Sequence, residues 1–262
     1  MSSVVLNGQG AGGVRSGFFG KLPARRDFVT GNLPGAITEP WHDWLVDGLV
    51  RSRELIGDDW ADAYLNLPVW RLAFSGGLCG DGVLAGVMIP NLDKVGRHFP
   101  LLIGAVLPAD VGAGVVSVAL ADWYEAAEAL ALSSLEPGFV FEEFERRVGA
   151  LPIPQTLGGV PFTAGDEGLD VQVGEACGWK LPTPPDGSPA SAYAGLLDSM
   201  AFSSFGRYSV WWTAGSDRMD PALVVYPGLP SATAFAALLD GRWSERGWGV
   251  PPVGTPGPAS VC

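Results

Sequence analysis

Hydrophobic positions along the chain follow two periods, one typical of helices and one typical of strands. Between residues 39 and 56, apolar side chains return every three or four positions, which predicts an amphipathic helix that begins at Glu39 and Pro40 and ends before Gly57. The apolar positions of this helix are Trp41, Trp44, Leu45, Leu49 and Val50. A chain that combines such helices with strand-like runs is typical of a mixed α and β fold.

Short apolar runs bounded by glycine or proline predict the strands. These runs lie at 15–20, 69–74, 83–89, 101–107, 208–213 and 222–226. The connections among the second, third and fourth runs are too short to hold a crossover helix, so we expect an antiparallel meander there. Further helices are predicted at 58–67, 115–132, 140–151, 193–201 and 233–240.

Polar residues assign the ends and faces of these helices. Asp58 is expected to cap the helix at 58–67. Asp122, Glu125 and Glu128 are expected on the solvent face of the helix at 115–132. His42 is expected on the surface of the helix at 39–56, since the chain has only two histidines, which are too few for a multi-histidine metal site.

These elements predict an α/β (α+β) fold with a central, mainly antiparallel sheet and helices on both sides. Trp211 and Trp212 are neighbours on a predicted strand, so their side chains must point to opposite faces. Either a helix or a binding groove must then cover the second face. We favour a helix, because α/β sheets are commonly covered on both sides.

The chain is expected to form one domain at 15–249. Flexible tails are predicted at 1–14, which is rich in Gly and Ser, and at 250–262, which is rich in Pro and Gly, because such compositions bury little apolar area. The segment 152–190 shows no defined period.

Composition and charge narrow the classes of partner. The formal net charge is -12 over 262 residues, which argues against a nucleic-acid or anionic-membrane surface and favours protein partners. No signal-peptide pattern precedes residue 15, so we expect a cytoplasmic protein. The most apolar stretch, 101–121, is interrupted by Pro108 and Asp110, and we expect no membrane insertion.

Few residues are suited to catalysis or metal binding. The three cysteines lack CxxC spacing, and the chain has only two histidines. No GxxxxGK(S/T), HExxH or GxSxG motif occurs. We therefore predict no catalytic residue, no cofactor and no metal. An enzyme of unrecognised hydrolase type that uses Asp27, Arg25 and His98 in a pocket stays open as an alternative.

Two weak patterns do not change that prediction. Gly8, Gly10 and Gly13 have the spacing of a dinucleotide-binding fingerprint, but a strand-like run follows them where the phosphate site requires a helix N-terminus. The acidic residues within 166–175 lack the alternation and the final Glu of an EF-hand loop, and a solvated loop is the simpler interpretation.

A charged turn beside aromatic residues is the first candidate for partner contact. Lys21, Arg25 and Arg26 cluster on a chain with only 16 cationic residues, and rigid scaffolds display recognition residues on such loops. We expect these three cations to face the partner. Asp27 follows them and is equally suited to capping a turn or helix.

Arg97 and His98 form the second candidate. His98 could orient its loop by hydrogen bonding or face a partner, and we favour the structural role because no carboxylate is adjacent in sequence. The partner-binding candidates are thus Lys21, Arg25, Arg26, Asp27, Arg97, His98, Trp211 and Trp212.

Three blocks of the sequence carry a resemblance to a known family. They are GFFGKLPARRDF at 17–28, VGRHFPL at 95–101 and SVWWTAG at 209–215. With matching residues at 70–71, 86–90 and 221–230, they make the chain similar to the TagF (ImpM) family over residues 16–249. Members of that family are cytoplasmic accessory proteins of bacterial type VI secretion systems.

The resemblance implies a fold similar to longin-type regulatory domains and a negative regulator that acts after translation. Its implied partner is a forkhead-associated (Fha) scaffold protein of the same secretion system, with a cognate phosphatase or kinase pathway as a further candidate. Some members look fused to a protein-phosphatase domain, and this chain contains no such sequence. A structural subunit of the secretion apparatus is a second alternative.

One departure from the family pattern concerns the charged turn. The family usually reads Arg-Gly-Asp where this chain has Arg25, Arg26 and Asp27. An arginine at the glycine position makes a positive φ costly, so either the turn does not need one or the loop is locally different here.

Overall fold

A computed structural model of the chain describes residues 4–5, 14–154, 156–157 and 189–249. The predictions for Gly8, Gly10 and Gly13, for the acidic run within 166–175 and for the tail at 250–262 lie outside these residues. Most of 1–14 and of 152–190 lies outside them as well.

The centre of the described structure is a seven-stranded sheet that is antiparallel at every pairing. The strands of the chain are β1 (Val4–Val5), β2 (Ser16–Gly20), β3 (Val29–Gly31), β4 (Trp70–Phe74), β5 (Val83–Ile89), β6 (Leu101–Leu107), β7 (Thr156–Leu157), β8 (Tyr208–Thr213) and β9 (Ala222–Pro227). The order across the large sheet is β3-β2-β6-β5-β4-β8-β9, and β1 pairs with β7 separately. The meander predicted from the short connections is confirmed as β4-β5-β6.

Seven α-helices lie within the described residues. They are α1 (Gly35–Ile56), α2 (Trp60–Leu65), α3 (Ala113–Ala119), α4 (Ala121–Ser133), α5 (Phe141–Gly149), α6 (Ala190–Phe205) and α7 (Ala232–Asp240). None of the helices in the described part of the chain combines the length and apolar character that a membrane crossing needs.

Alternate residues of the strands feed two hydrophobic cores, one on each face of the sheet. Along β5, Val83 and Val87 join the core covered by α3, α4, α5 and α6, whereas Leu84 and Met88 join the core covered by α1, α2 and α7. This division follows from the period of two in a pleated strand. The predicted sheet with helices on both sides is therefore confirmed.

Helix α1 begins earlier than the sequence predicts. It starts at Gly35 rather than at Glu39, so Pro40 lies inside the helix. Ile37 is buried in line with Trp41 and Leu45, one and two turns further on. Because Ile37 is buried, the helix starts five residues before Pro40, although sequence rules place a proline in the first turn. The predicted end is correct, because Gly57 follows Ile56 with φ 73.

The helix predicted at 115–132 is two helices, because α3 ends and α4 begins around buried Leu120, whose φ of -102 and ψ of 26 leave the helical region. Glu128 is also placed differently from the prediction. Its carboxylate is half-buried and pairs with the guanidinium of Arg71 on β4 at 2.8 Å, whereas Asp122 and Glu125 are exposed as expected.

Other differences are local. A short 3-10 turn occupies Gly57–Asp59 before α2, and Asp58 makes no side-chain cap there. Helix α6 is longer than the predicted 193–201. Strand β3 was not predicted, because three residues are too few for a period to show. Asn32 ends β3 with φ 58 and donates its side-chain amide to the carbonyl of Ser16 at 3.3 Å.

Candidate functional site

Two loops, 21–28 and 91–99, meet at the end of the sheet where β2 stops and β6 starts; we call them the two-loop platform. The close approach depends on Gly20, where a Cβ would lie 2.2 Å from the carbonyl oxygen of Pro100. Two of the three blocks that resemble the TagF family, at 17–28 and 95–101, therefore contribute to one surface.

Asp93 joins the two loops through its buried carboxylate. Its Oδ2 accepts hydrogen bonds from Lys21 Nζ at 3.0 Å and from Arg97 Nε at 2.5 Å. Its Oδ1 accepts from the backbone amides of Val95 at 3.0 Å and Arg97 at 2.9 Å. One carboxylate thus holds a cation from the first loop and folds the second loop around itself.

The electrostatics of this site favour an ionised Asp93. Burial on its own raises the pKa of the carboxyl group, but the amides of Arg97 and Val95 and the cations of Lys21 and Arg97 outweigh it. The pKa of Asp93 consequently lies well below its ordinary value of 3.8. At neutral pH the platform contains a fixed ion cluster of one carboxylate and two cations.

Backbone hydrogen bonds also connect the loops. The amide of Lys94 donates to the carbonyl of Arg25 at 2.8 Å, and Arg97 Nη2 donates to the carbonyl of Arg26. Within the second loop, the amide of Phe99 donates to the carbonyl of Asn91 at 3.1 Å. The positions of the platform side chains are therefore set by two segments that hold each other.

Phe28 is an exposed aromatic ring on a rigid aromatic base. Its ring centroid lies 5.5 Å from that of Phe19, 4.7 Å from that of Phe99 and 5.3 Å from that of His42. Lys21 Nζ lies 5.2 Å from the Phe28 centroid, within the range of a cation–π contact. Yet 42% of Phe28 is exposed, so its outer face is open to solvent.

Arg25, Arg26 and Asp27 of the charged turn are exposed. Arg25 pairs with Glu142 at 3.1 Å and lies 4.3 Å from the Phe141 ring centroid. The side chains of Arg26, Asp27 and Lys94 are exposed and form no ion pair with any described residue. Asp27 makes no capping hydrogen bond among the described residues either.

Lys21 differs from the expectation that it faces a partner. It is buried, because Asp93 and the Phe28 ring enclose its ammonium group. Its charge acts inside the platform rather than at the surface.

Arg26, which stands where the family usually has a glycine, does not need a left-handed backbone. Among the described residues, Asn32 is the only non-glycine with a positive φ.

His98 is half-buried between two aromatic side chains. Its ring centroid lies 5.0 Å from those of both Trp60 and Tyr64. Burial lowers the pKa of His98, and the nearby positive charges of Arg53 and Lys21 lower it further. The imidazole is therefore held towards its neutral form at pH 7, which agrees with a packing role.

Trp211 and Trp212 point to opposite faces, as predicted. Trp211 is fully buried, and its ring centroid lies 6.3 Å from that of Trp41 on α1. The ring centroid of Trp212 lies 4.7 Å from that of Tyr124 on α4. Helices therefore cover both faces. Strand β8 lies four strands from β2, about 19 Å across the sheet at about 4.8 Å per strand, so the pair is not part of the platform.

Three residues of the platform were missed by sequence reasoning. Asp93, Lys94 and exposed Phe28 are as central to it as the predicted arginines. Phe28 lies inside the 17–28 block and could have been selected as an apolar residue next to charges. The turn that Asp93 forms with Val95 and Arg97 is local, but its bond to the first loop is not, because its partner Lys21 is 72 residues away.

A second buried carboxylate lies on the α3 side of the sheet. Asp198 of α6 accepts hydrogen bonds from the amides of Gly114 at 2.7 Å and Val115 at 3.0 Å and from the hydroxyl of Tyr208. Burial raises the pKa of Asp198, and these donors offset only part of the effect. They fix α6 to the start of α3, so the contact is structural.

Two cavities in the described part of the chain are not lined by the residues of the enzyme alternative. One of about 250 Å³ lies beside Tyr208 and Arg207, and one of about 370 Å³ lies among Asp62, Asp240 and Arg246. Neither is lined by Asp27, Arg25 or His98. Within residues 14–154 and 189–249, no three His, Cys, Asp or Glu side chains are grouped so as to hold a metal ion.

The chain is similar to known proteins in both sequence and fold. Residues 17–151 match the family model for the TagF N-terminal domain, described as type VI secretion system-associated. The crystal structure of PA0076 from Pseudomonas aeruginosa PAO1 is similar, with 36% identity and a TM-score of 0.71 over 90% of this chain and 97% of PA0076. No sequence among curated proteins matches the chain.

Proposed function

Because this chain belongs to the TagF family of type VI secretion system-associated proteins, we propose that it is a non-enzymatic, cytoplasmic regulator of such a system. It restrains the assembly or firing of the secretion machine after translation. It does so by binding the forkhead-associated (Fha) scaffold protein of the same system.

The observation that carries this proposal is the family match over 17–151, which contains the whole two-loop platform. The platform is charged and partly apolar, as protein-binding surfaces commonly are. Its buried carboxylate, Asp93, accepts four hydrogen bonds that position the loops. These features favour recognition of another protein over chemistry on a small substrate.

Co-purification from the native bacterium tests the proposal. The tagged full chain should recover the Fha scaffold of its own secretion system, and deletion of its gene should raise secretion of a marker effector. Re-expression of the chain should return secretion to the parental level. If no component of the apparatus is recovered and deletion leaves secretion unchanged, the proposed function is wrong.

Stoichiometry separates a regulator from a structural subunit. A regulator should be bound to the scaffold in resting cells and absent from the purified, assembled apparatus. A chain that persists in the assembled apparatus at a fixed ratio would be a subunit instead. A candidate phosphatase or kinase pathway is tested by repeating the co-purification after the scaffold has been dephosphorylated.

A further inference from the structure

The two-loop platform concentrates positive charge on an acidic protein. The two loops contain five cations and two carboxylates, and Glu142 of α5 pairs with one of the cations, while the chain as a whole has a net charge of -12. The cations are Lys21, Arg25, Arg26, Lys94 and Arg97, and the carboxylates are Asp27 and Asp93. Arg26 and Lys94 form no ion pair among the described residues, and the Arg97 side chain is 59% exposed. Such a region attracts anionic groups selectively.

Apolar surface is exposed among these charges. Phe28 lies in the first loop, and Val95, which is 56% exposed, lies in the second. Phe28 is supported by Phe19, Phe99 and His42, so it loses little conformational freedom when a partner packs on it. An aromatic side chain that its neighbours support and that a partner can cover is typical of a binding hot spot.

The donors that remain free fit separate carboxylates better than one phosphate group. Arg25 already donates to Glu142, and Arg97 donates through Nε to Asp93 and through Nη2 to the carbonyl of Arg26. A phosphate dianion is held best by several free, converging donors. Here the unpaired cations, Arg26 and Lys94, come from different loops.

We propose that the two-loop platform binds an acidic segment of the partner protein, with carboxylates facing Arg26, Lys94 and Arg97 and one apolar side chain packed on Phe28 and Val95. This inference rests on the proposed function, since it names the surface and the chemistry by which the Fha scaffold is recognised. The buried Lys21–Asp93 pair positions the platform and does not touch the partner.

Charge reversal in the full chain tests the proposal. Arg26→Glu with Lys94→Glu should slow association with the purified Fha scaffold by about tenfold at about 0.1 M salt, and the difference should shrink at about 1 M salt, where the Debye length falls from about 10 Å to about 3 Å. Phe28→Ser should instead speed dissociation. All variants should keep the parental circular dichroism spectrum.

Arg15→Glu is the matched control. Arg15 is exposed, forms no ion pair among the described residues and precedes β2 at its far end, about 20 Å from the platform at about 3.3 Å per residue. Arg15→Glu reverses one charge, as each of the single variants Arg26→Glu and Lys94→Glu does, and it should bind the scaffold as the parent does when compared with those single variants. Equal slowing by Arg15→Glu would show that net charge, rather than the platform, controls association.

Peptide probes identify the chemistry and separate this inference from the proposed function. A synthetic peptide of Asp, Glu and one Leu should bind the parent, and its Asn and Gln counterpart should not. If the scaffold binds parent and double variant equally, the platform proposal is wrong and the proposed function stands. If the parent binds the acidic peptide but not the scaffold, and the double variant does not bind the peptide, the platform proposal stands and the proposed function is wrong. If the parent binds only a phosphothreonine version of the peptide, the platform recognises phosphate rather than carboxylates. If the parent binds neither the scaffold nor any peptide, both the platform proposal and the proposed function are wrong.

Discussion

Two buried aspartates hold this fold together by different means. Asp93 connects the two-loop platform and accepts hydrogen bonds from two cations and two backbone amides. Asp198 connects α6 to α3 and accepts from two amides and one tyrosine hydroxyl, with no cation. The pKa of Asp93 is therefore lowered, whereas burial raises the pKa of Asp198.

The difference shows that burial alone does not determine the charge state of a carboxylate. At Asp198 the neutral donors offset only part of the free-energy cost of removing a negative charge from water. At Asp93 the amides of Arg97 and Val95, together with the cations of Lys21 and Arg97, outweigh that cost. The Asp93 cluster lies at the edge of the sheet, where the Arg97 side chain still reaches solvent. Asp198 lies between helices, where its bonding partners are buried.

The largest effect on stability is expected at Asp198. Asp198→Ala leaves the amides of Gly114 and Val115 and the hydroxyl of Tyr208 without an acceptor, at about 1 to 3 kcal/mol for each buried group, so the total loss should be at least about 3 kcal/mol. Urea unfolding measures this loss. Ser199→Ala, the next residue on α6, is the control and should unfold like the parent; equal midpoints for the two variants would contradict the prediction.

A second prediction concerns the space around the same carboxylate. A Cβ at Gly112 would lie 1.9 Å from Asp198 Oδ2, so Gly112→Ala should cost about 1 to 3 kcal/mol through overpacking. In the Asp198→Ala background the same change should cost much less, because the clashing oxygen is gone. A double-mutant cycle by urea unfolding measures the coupling. Additive effects would mean that the two sites do not interact.

A third prediction breaks the other cluster. Asp93→Asn leaves the buried ammonium of Lys21 without its counter-ion, so the loops should loosen and amide hydrogen exchange at Val95 and Arg97 should accelerate. Lys21→Met combined with Asp93→Asn should restore part of the protection, because no unpaired charge remains buried. Exchange in α7, on a different element, serves as the internal reference and should not change.

The smallest effect is a pH dependence of opposite sign at the two sites. The lowered pKa of Asp93 gives stability that is present above about pH 4 and is lost as the pH falls through the folded-state pKa. The raised pKa of Asp198 gives stability that is present below about pH 4 and is lost as the pH rises through the folded-state pKa. Unfolding of parent, Asp93→Asn and Asp198→Asn at several pH values from acidic to neutral measures both slopes, and slopes of the same sign would contradict the comparison.

Local pattern was enough to predict most of the sheet. The predicted strands at 83–89 and 101–107 have the same limits as β5 and β6, because each is a continuous apolar run with glycine or proline at its ends. Opposite faces for Trp211 and Trp212 followed from the pleat alone. Helix α1 could not be placed to its first residue, since the burial of Ile37 that extends it depends on tertiary packing.

The candidate site could be predicted only in part. The sequence alone determined that residues 17–28 and 95–101 resemble the family and contain candidate binding residues. It also determined that the chain is acidic with a basic turn and that the fold mixes helices with an antiparallel sheet. Only the tertiary structure decided that these blocks form one surface, that Lys21 is buried and that Asp93 joins them. The physical reason is distance along the chain: periodicity and turn chemistry act over a few residues, whereas the Lys21–Asp93 pair spans 72 residues and exists only once β2 lies beside β6.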